Sequence, residues 1–411
     1  MKNILRKPVS MAGVVIGAMA FACMPQEQSP VINDSVVEYV KFQNGDIIPG
    51  KYIVRLNATN LNFRKTKDYA SNQAAMRKIS MDILARYDIA EASLGYVYGS
   101  SIEGFSVELT NEEYEKLSKD PAVKFIEPDR VIALAPPPGK GPGGDDGGDG
   151  GGSGPAQETP WGITRVGGGD TYTGNGKAYV IDSGIDASHP DLNVDVSLGF
   201  NAFTKGKDAD LSQDGSGHGT HVAGTIAAVD NSIGVIGVAA GATVVPVKVL
   251  DSRGSGSYSG VIAGVDFVTA KGSNVDVANM SLGGPLSTAL NDAVIALAES
   301  GVKVALAAGN ESTDAGTRSP ASANHPNIYT VSATNSSDVF ASFSNYGNPP
   351  VDFAAPGVGV LSTVPGGGYA LYNGTSMASP HVAGILLTGN PRNGGSSISD
   401  PDGNRDPIAI K

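Results

Sequence analysis

From Trp161 onward the chain alternates short, nearly continuous apolar runs with segments of helical spacing, and this alternation is the strongest constraint on its fold. Strands are predicted at 178–181, 243–249, 275–280, 302–307 and 328–333, and helices at 218–228, 260–270 and 288–300. Strands that are apolar along their whole length are buried on both faces, which predicts a parallel sheet covered by helices on each side. Ligands of such sheets bind beyond the carboxyl ends of the strands.

A smaller pattern precedes it over residues 48–135. Residues 51–56, 105–109 and 124–127 alternate polar and apolar side chains, as half-buried strands do, and 96–100 is a further candidate strand. Helical spacing marks 68–87, and Thr110 with Glu113 has the signature of a capping box at the start of a second helix. The order strand, helix, strand, strand, helix, strand predicts a ferredoxin-like α+β unit.

Residues 1–22 have the pattern of an export signal peptide. Positive charges at Lys2, Arg6 and Lys7 precede an apolar run that is too short to span a bilayer, and 20–22 supplies a small-x-small cleavage pattern. The alternative is a buried N-terminal helix. Cys23, the single cysteine of the chain, follows the expected cleavage point and allows no internal disulfide. Two outcomes stay open: a lipid anchor on Cys23, as in bacterial lipoproteins, or secretion without one.

Polar stretches separate these parts and end the chain. Residues 23–47 are interpreted as a tether, and 136–155 as a mobile linker, because ten of its twenty residues are glycine and five are proline. The α/β domain is expected over 156–388, followed by a polar loop over 389–411. The net charge of −12 disfavours nucleic acid and anionic membranes as partners, so lipid on Cys23 is the only membrane contact expected.

Four positions in the α/β part have side chains suited to hydrolysis. Asp182 ends an apolar strand, where a carboxylate can hold an imidazole in one tautomer. His218 opens a glycine-lined helix, and Ser376 begins another, where free N–H groups favour negative charge. Asn310 follows the strand at 302–307 and can donate an amide hydrogen to an oxyanion. Taken singly, each residue also fits an ordinary turn, cap or packing role.

A metal site is an alternative interpretation of His218 and His221. Zinc hydrolase helices place two histidines four residues apart with a glutamate between them, whereas these two lie three apart around Gly219 and Thr220. The spacing therefore favours a packed, structural His221. His381, on the helix that Ser376 begins, is likewise expected to face the core.

The sequence motifs around these residues, and their order Asp, His, Ser, resemble those of the subtilisin-like serine proteases over about residues 161–387. The segments at 247–251, 254–259 and 342–347 are most similar to those of the proteinase K branch. The resemblance implies a serine endopeptidase of protein or peptide substrates that needs no cofactor for its chemistry. It makes Ser376 the nucleophile and His218 the general base and then acid. Asp182 orients His218, and the Asn310 side chain forms the oxyanion hole with the Ser376 N–H.

The same resemblance implies where substrate and metal bind. The substrate-binding positions are Ser281, Leu282, Gly283 and Gly256 on backbone-pairing edges, Tyr258 at the rim of a distal pocket, and Ala307, Ala308 and Gly309 in the primary pocket. Small apolar walls predict an apolar side chain before the scissile bond, whereas Glu311 would favour a basic one. A structural calcium would bind carbonyls of Pro326 and Ile328 and the carboxylate of Asp352. The alternative there is a loop with one exposed aspartate.

The ferredoxin-like unit resembles the inhibitory propeptides of this family. Its tail, 131–135, is expected in the substrate cleft, with self-cleavage after Ala135. The mature N-terminus then lies in the linker or is trimmed toward Ala156. The family usually continues with helices after the serine helix, so the polar end at 389–411 is either a compact ending or a loss.

Three other functions fit parts of this pattern. The first is an esterase or amidase, which a deep closed pocket would favour and open backbone-pairing edges disfavour. The second is a catalytically silent binding protein, although such proteins usually lose a residue of the triad or the oxyanion asparagine. The third is a chain that never matures and keeps its propeptide as a permanent inhibitor.

Overall fold

The structure, a computed structural model, describes residues 43–134 and 155–411. The expected signal peptide, Cys23, most of the tether, the cleavage point at Ala135 and nearly all of the linker lie outside the described residues. Within them, no helix is both long enough and apolar enough to cross a bilayer.

The first described part is the ferredoxin-like unit expected from the sequence. Its elements are β1 Ile47–Leu56, α1 Tyr69–Ala85, β2 Leu94–Tyr98, β3 Gly104–Glu108, α2 Asn111–Leu117 and β4 Val123–Ala133, with 3-10 turns at Ala58–Asn60 and Glu91–Ser93. The strands are antiparallel in the order β4, β1, β3, β2. Thr110 and Glu113 form the predicted capping box at the start of α2. Met76, Ile83 and Leu84 of α1 are buried against this sheet.

The second described part contains the remaining elements. Its helices are α3 Trp161–Val166, α4 His218–Ala227, α5 Tyr258–Lys271, α6 Thr288–Glu299 and α7 Thr375–Thr388, with 3-10 turns at Val196–Leu198, Lys207–Ala209 and Ala315–Thr317. Its strands are β5 Asp170–Thr171, β6 Lys177–Asp182, β7 Phe200–Asn201, β8 Ala239–Ala240, β9 Thr243–Lys248, β10 Ser255–Ser257, β11 Val277–Met280, β12 Gly284–Pro285, β13 Lys303–Ala307, β14 Arg318–Ser319, β15 Ile328–Thr334, β16 Val351–Pro356, β17 Val360–Val364, β18 Gly368–Tyr372, β19 Arg392–Ser396 and β20 Pro407–Ile410.

Nine of these strands form one central sheet, in the order β19, β20, β16, β15, β13, β11, β6, β9, β7. All neighbours in this sheet are parallel except β19 and β20. One apolar core lies between the sheet and α4 and α7, and a second lies under α5 and α6. The five predicted strands and three predicted helices are present, which confirms the fold class. Their carboxyl ends meet at one edge, where Asp182 ends β6.

The prediction of a polar loop over 389–411 is wrong for two segments. β19 and β20 form a hairpin there, and β20 extends the central sheet by pairing Ile408 with Ala354 of β16. Ile408 and Ala409 are buried. β20 has only four residues, too few to show a clear alternation of polar and apolar side chains in the sequence. Its partner β16 lies about fifty residues earlier in the chain, so no local pattern predicts the pairing.

Candidate active site

Asp182 and His218 are in direct contact at the carboxyl edge of the central sheet. The Nδ1 atom of His218, the first residue of α4, lies 2.9 Å from Asp182 Oδ1 and 3.0 Å from Oδ2. Both side chains are buried. Burial opposes protonation of the imidazole, but the charge and hydrogen bond of Asp182 and the charge of Asp214 outweigh it and raise the pKa of His218 above its ordinary value.

Asp214 ties the strand that carries Asp182 to the helix that carries His218. Its carboxylate accepts hydrogen bonds from the Ser183 hydroxyl at 2.9 Å and from the Thr220 N–H and hydroxyl at 2.9 and 2.7 Å. The N–H groups of residues 216 and 217 donate to it as well. Sequence reasoning missed this buried residue; the signal available was a lone acid four residues before His218.

Ser376 is the second residue of α7, after Gly374 at the helix N-cap. Its N–H belongs to the first turn, whose amides have no acceptor within the helix. The Ser376 hydroxyl donates to the carbonyl of Ser281 at 3.1 Å. His218 and Ser376 line the same cleft.

Asn310 follows β13 and is held in place by Thr375. Its Oδ1 accepts hydrogen bonds from the Thr375 N–H at 2.8 Å and from the Thr375 hydroxyl at 3.0 Å, which fixes the rotation of the amide. Gly374 has a φ of 147°, and a Cβ there would lie 3.5 Å from Asn310 Nδ2 and 3.6 Å from the Ser376 nitrogen. These two N–H donors therefore border the same small volume.

An open cleft of about 580 Å³ collects most of the predicted site residues. Its lining includes His218, Ser376, Asn310, Ser281, Leu282, Gly283, Ala307, Ala308 and Gly309. Gly256 lies to one side, in β10, followed by Tyr258 at the start of α5. Tyr258 is buried rather than at a rim, because the propeptide-like unit covers it; its hydroxyl donates to the Pro285 carbonyl at 2.8 Å.

The tail of the ferredoxin-like unit lies along one edge of this cleft. β4 pairs antiparallel with β10, with Val131 opposite Ser257 and Ala133 opposite Ser255. Beyond the strand, the Leu134 N–H donates to the Gly254 carbonyl at 2.9 Å. Ala133 and Leu134 line the cleft together with His218. The tail therefore uses the backbone hydrogen bonds that an extended peptide would use at this edge.

Asn44 stands between the tail and the opposite edge of the cleft. Its side-chain amide donates to the Gly283 carbonyl at 2.9 Å and accepts from the Ala133 N–H at 3.2 Å. Gly45 donates its N–H to the Val131 carbonyl at 2.9 Å, so the tail is bonded on both sides. Sequence reasoning placed these residues in the tether, because an asparagine in a polar stretch gives no signal of a distant partner.

Carboxylates of the ferredoxin-like unit cap two helices of the α/β part. Asp129 accepts from the Ser259 N–H at 3.0 Å in the first turn of α5, and Glu127 accepts from the Thr288 N–H at 3.2 Å in the first turn of α6. Helix N-termini favour negative charge at these places. Burial raises the pKa of both carboxyls and of Asp266, which binds N–H groups of the β2–β3 turn from the other side. Sequence reasoning did not identify these contacts.

Glu311 is paired rather than free at the primary pocket. Arg318 Nε lies 3.6 Å from Glu311 Oε2, and Asn345 donates to the same oxygen at 2.7 Å. Both Glu311 and Arg318 line the cleft. The carboxylate charge is therefore largely offset, which weakens the argument for a basic substrate side chain. Arg318 was not recognised from the sequence, since its distance from Glu311 in the fold depends on the β12–β14 pairing.

The other two histidines singled out in the sequence are buried. His221 Nε2 lies 3.0 Å from the carbonyls of Val360 and Ala370, and its ring stacks on Tyr372 at 4.2 Å. Burial lowers the pKa of His221 to about 3 and that of His381 to about 4. Both rings are therefore neutral at ordinary pH.

The expected calcium residues lie at the start of β15 and in β16. Asp352 Oδ2 accepts the Thr330 N–H at 2.9 Å, and Val351 is opposite Thr330 in the sheet. Within 43–134 and 155–411, no three Asp, Glu, His or Cys side chains form a preassembled metal cluster. An ion at Asp352 would therefore depend on carbonyl oxygens of Pro326 and Ile328, which are hard donors of the kind that calcium accepts.

Known proteins share this architecture over most of the chain. A profile of the subtilase family matches residues 178–392, and one described as peptidase inhibitor I9 matches 51–135. Subtilisin E of Bacillus subtilis is 45% identical over 293 residues, covering 69% of this chain and 70% of that protein. Subtilisin-like protease 7 of Arthroderma gypseum is 40% identical over 370 residues, covering 85% of this chain and 84% of that protein. The crystal structure of a cold adapted subtilisin-like serine proteinase has a TM-score of 0.53 and 40% identity, covering 61% of this chain and 97% of its own.

Fold and similarity first define a class, the serine endopeptidases that carry an inhibitory propeptide. Within that class, the chain belongs to the subtilase family. The similarity to fungal proteases extends over both the propeptide and the catalytic part, in agreement with the resemblance to the proteinase K branch.

Proposed function

We propose that the chain is the precursor of an exported serine endopeptidase in which Asp182, His218 and Ser376 act as the catalytic triad. The contact of 2.9 Å between His218 Nδ1 and Asp182, beside a cleft that also contains the Ser376 hydroxyl, carries this proposal. A buried carboxylate on Nδ1 keeps that nitrogen protonated and leaves Nε2 as the base.

The reaction follows from these positions. The Ser376 hydroxyl turns from the Ser281 carbonyl toward His218 and attacks the carbonyl carbon of the peptide, while His218 Nε2 takes its proton. His218 then gives that proton to the amine nitrogen, the C–N bond breaks, and the acyl group stays on Ser376. A water that loses a proton to His218 hydrolyses this ester, and the proton returns to the serine oxygen.

Stabilisation of the oxyanion is assigned to two N–H donors. The Ser376 N–H and Asn310 Nδ2 border one small volume beside Gly374, and neither needs to reorient when charge develops. This preorganisation supports Asn310 as an oxyanion donor, the role that its family resemblance implies. The Ser376 N–H supports the same role for the N-terminus of α7.

Self-processing tests the assignment of the nucleophile. Wild-type precursor is expected to shorten on a gel through loss of the propeptide, whereas Ser376→Ala is expected to stay at full length, because the hydrolysis rate falls about a million-fold without the triad. Ser379→Ala, in the same helix, is the control and should still shorten. Normal shortening of Ser376→Ala would remove the nucleophile assignment.

We further propose a preference for apolar side chains before the scissile bond. Ala307, Ala308 and Gly309 supply small apolar walls, and the pairing of Glu311 with Arg318 offsets the charge that would attract a basic side chain. Cleavage of a peptide library mainly after Arg or Lys would reverse this preference. The backbone-pairing edge of β10, which an extended strand occupies here, supports peptides over small esters as substrates.

Autoinhibition before maturation is supported by the tail in the cleft. We propose cleavage after Ala135, with the mature N-terminus in the linker or trimmed toward Ala156, and export with or without lipid on Cys23. The intact mass of the mature protein reports both processing ends and any acyl group. A protein that keeps residues 1–135 covalently attached and inactive would instead support a permanently inhibited chain.

A structural calcium at Asp352 is a separate proposal. One Asp352 carboxylate oxygen accepts the Thr330 N–H. Pro326 and Ile328 lie two to four residues before Thr330, on the strand β15 that pairs with the strand of Asp352, or just before it. The ion would hold the starts of β15 and β16 together and take no part in the hydrolysis. If Asp352→Asn and the wild type had the same melting temperature in the presence of calcium, this result would argue against the ion.

A further inference from the structure

Arg318 is a cation in the lining of the substrate cleft, among residues that are otherwise small and apolar. It lines the cleft together with Ala307, Ala308 and Gly309, the expected walls of the primary pocket. Its side chain is only 24% exposed. Within 43–134 and 155–411, its guanidinium donates no hydrogen bond, and its Nε is buried without an acceptor. The cleft therefore contains a largely buried donor group that no described residue satisfies.

The contact with Glu311 places this guanidinium at the primary pocket rather than elsewhere along the cleft. Arg318 Nε lies 3.6 Å from Glu311 Oε2, close enough for an ion pair but too far for a hydrogen bond. The same oxygen lies beside Gly309, because a Cβ on Gly309 would be 2.7 Å from it. One positive and one negative group therefore stand together at the wall that Gly309 forms.

Both groups are held in place by the surrounding structure. The backbone of Arg318 is fixed by the pairing of β14 with β12 and by the Ser319 hydroxyl, which accepts the Ser287 N–H at 2.9 Å. Glu311 is fixed by Asn345, whose amide donates to Oε2 at 2.7 Å and accepts the Glu311 N–H at 3.0 Å. A donor and an acceptor are thus preorganised, which lowers the cost of ordering them when a substrate binds.

We propose that Arg318 is a specificity-determining residue, which makes the primary pocket accept glutamine before the scissile bond in addition to apolar side chains. This inference rests on the proposed peptidase function. The amide oxygen of the substrate glutamine accepts a hydrogen bond from the Arg318 guanidinium, and its amide nitrogen donates to the Glu311 carboxylate. A buried donor without an acceptor is unfavourable, so a side chain that supplies the acceptor gains over one of the same size that does not.

The two opposite charges favour glutamine over the ionised side chains of similar length. Arg318 and Glu311 together leave the wall without net charge. A glutamate would lose its hydration and approach the Glu311 carboxylate, and a lysine would lose its hydration and approach the Arg318 guanidinium. Glutamine carries no charge to desolvate, and it has nearly the length of methionine, which the small apolar walls admit. The pocket is therefore complementary to a carboxamide at the end of an apolar stem.

Four peptides that differ only in the residue before the scissile bond test the role of Arg318. The residue is glutamine, methionine, glutamate or lysine; kcat/KM is measured with the mature, self-processed enzyme, and mass spectrometry verifies the cleaved bond. The wild type is expected to cleave the glutamine and methionine peptides similarly, and both about tenfold better than the other two.

Arg318→Met keeps the apolar stem and removes the donors. The ratio of kcat/KM for glutamine to that for methionine is expected to fall about tenfold, the effect of one hydrogen bond to a charged group. Cleavage after lysine should rise relative to methionine, because the Glu311 charge is then no longer offset. A ratio of two substrates cancels any general effect on folding or on the triad. Arg405→Met, an exposed arginine outside the cleft lining, is the matched control and should keep the wild-type ratios.

Each result decides the proposal. A ratio of glutamine to methionine that is the same in Arg318→Met and the wild type overturns it, as does a wild type that cleaves after glutamate or lysine as well as after glutamine. Should Arg318→Met yield no mature enzyme, the ranking of the four peptides by the wild type decides alone. A mature enzyme that hydrolyses none of the peptides overturns the proposed peptidase function together with this inference, whereas hydrolysis without the glutamine preference overturns this inference only.

Discussion

At the scale of single residues, the environment of His218, the proposed general base, sets the pH range in which activity is expected. Asp182 binds Nδ1, and Asp214 adds a second negative charge from the loop before α4. Both charges favour the protonated ring, so the pKa of His218 is raised although the ring is buried. In the proposed mechanism the neutral ring is the base, so activity is expected to be absent well below this pKa and to grow as the pH rises through it.

The pH profile of the mature enzyme is therefore expected to have an acid limb with a midpoint above about 6.5, the reference value of histidine. Asp214→Asn removes one charge that favours the imidazolium, so its midpoint is expected to be lower. The variant also loses charged hydrogen bonds worth about 1.5–3 kcal/mol each, and kcat/KM should fall about 10- to 100-fold. Asp210→Asn, which changes an exposed charge in the same loop, is the control. An unmoved midpoint in Asp214→Asn would contradict the electrostatic role.

At the scale of elements, the strand β4 of the propeptide is hydrogen-bonded on both sides. β10 pairs with β4 on one side, and Asn44 to Asp46 bond to it on the other. Asn44 has a further effect, since its side chain also occupies the Gly283 carbonyl. If Gly283 pairs with substrate, as proposed, a substrate backbone can bond to that carbonyl only after Asn44 has left, so we expect this residue to add to inhibition beyond the tail itself.

Asn44→Ala is expected to shorten the lag between self-cleavage of the precursor and the appearance of peptidase activity. The substitution removes two hydrogen bonds of about 1 kcal/mol each, which corresponds to about thirtyfold weaker binding of the cleaved propeptide. Gel analysis of cleavage and hydrolysis of a chromogenic peptide, followed in parallel, measure the lag. Asn111→Ala changes an exposed asparagine of the same unit and should keep the wild-type lag. Equal lags in all three proteins would exclude the role.

At the scale of the whole molecule, residues 407–410 lie in the central sheet rather than beside it. β20 lengthens the sheet next to β16, and Ile408 is buried in it, whereas Ile398 of the same hairpin region is 44% exposed. Residues 407–410 are therefore packed into the core of the sheet rather than forming the polar loop expected from the sequence.

Ile408→Ala, in the Ser376→Ala background, is expected to lower the free energy of unfolding by about 2–5 kcal/mol, the usual range for such a deletion in a core. Ile398→Ala should change it by about 0.5 kcal/mol or less, since its side chain is largely exposed. Denaturant midpoints of the two variants give the comparison. Equal, small losses would mean that the hairpin contributes little to stability.

The sequence alone determined the parts of this protein whose signals are local. Apolar runs and helical spacing predicted the central strands and helices, because burial on both faces leaves a pattern within a few residues. The spacing of Thr110 and Glu113 predicted a capping box for the same reason. The four proposed site residues were recognisable because each lies at the end of a strand or the start of a helix, within a short characteristic sequence motif. They are Asp182, His218, Ser376 and Asn310.

Only the tertiary structure decided which distant residues meet. Asn44 lies 239 positions from Gly283, and Glu127 caps a helix 161 positions away. No local period records such pairs, because they depend on strand register and on how the propeptide packs against α5 and α6. The physical reason is that the chemistry of a site needs side chains of the right type, and the sequence shows those types. Which residues contact them is set by tertiary packing, and the sequence does not show that packing.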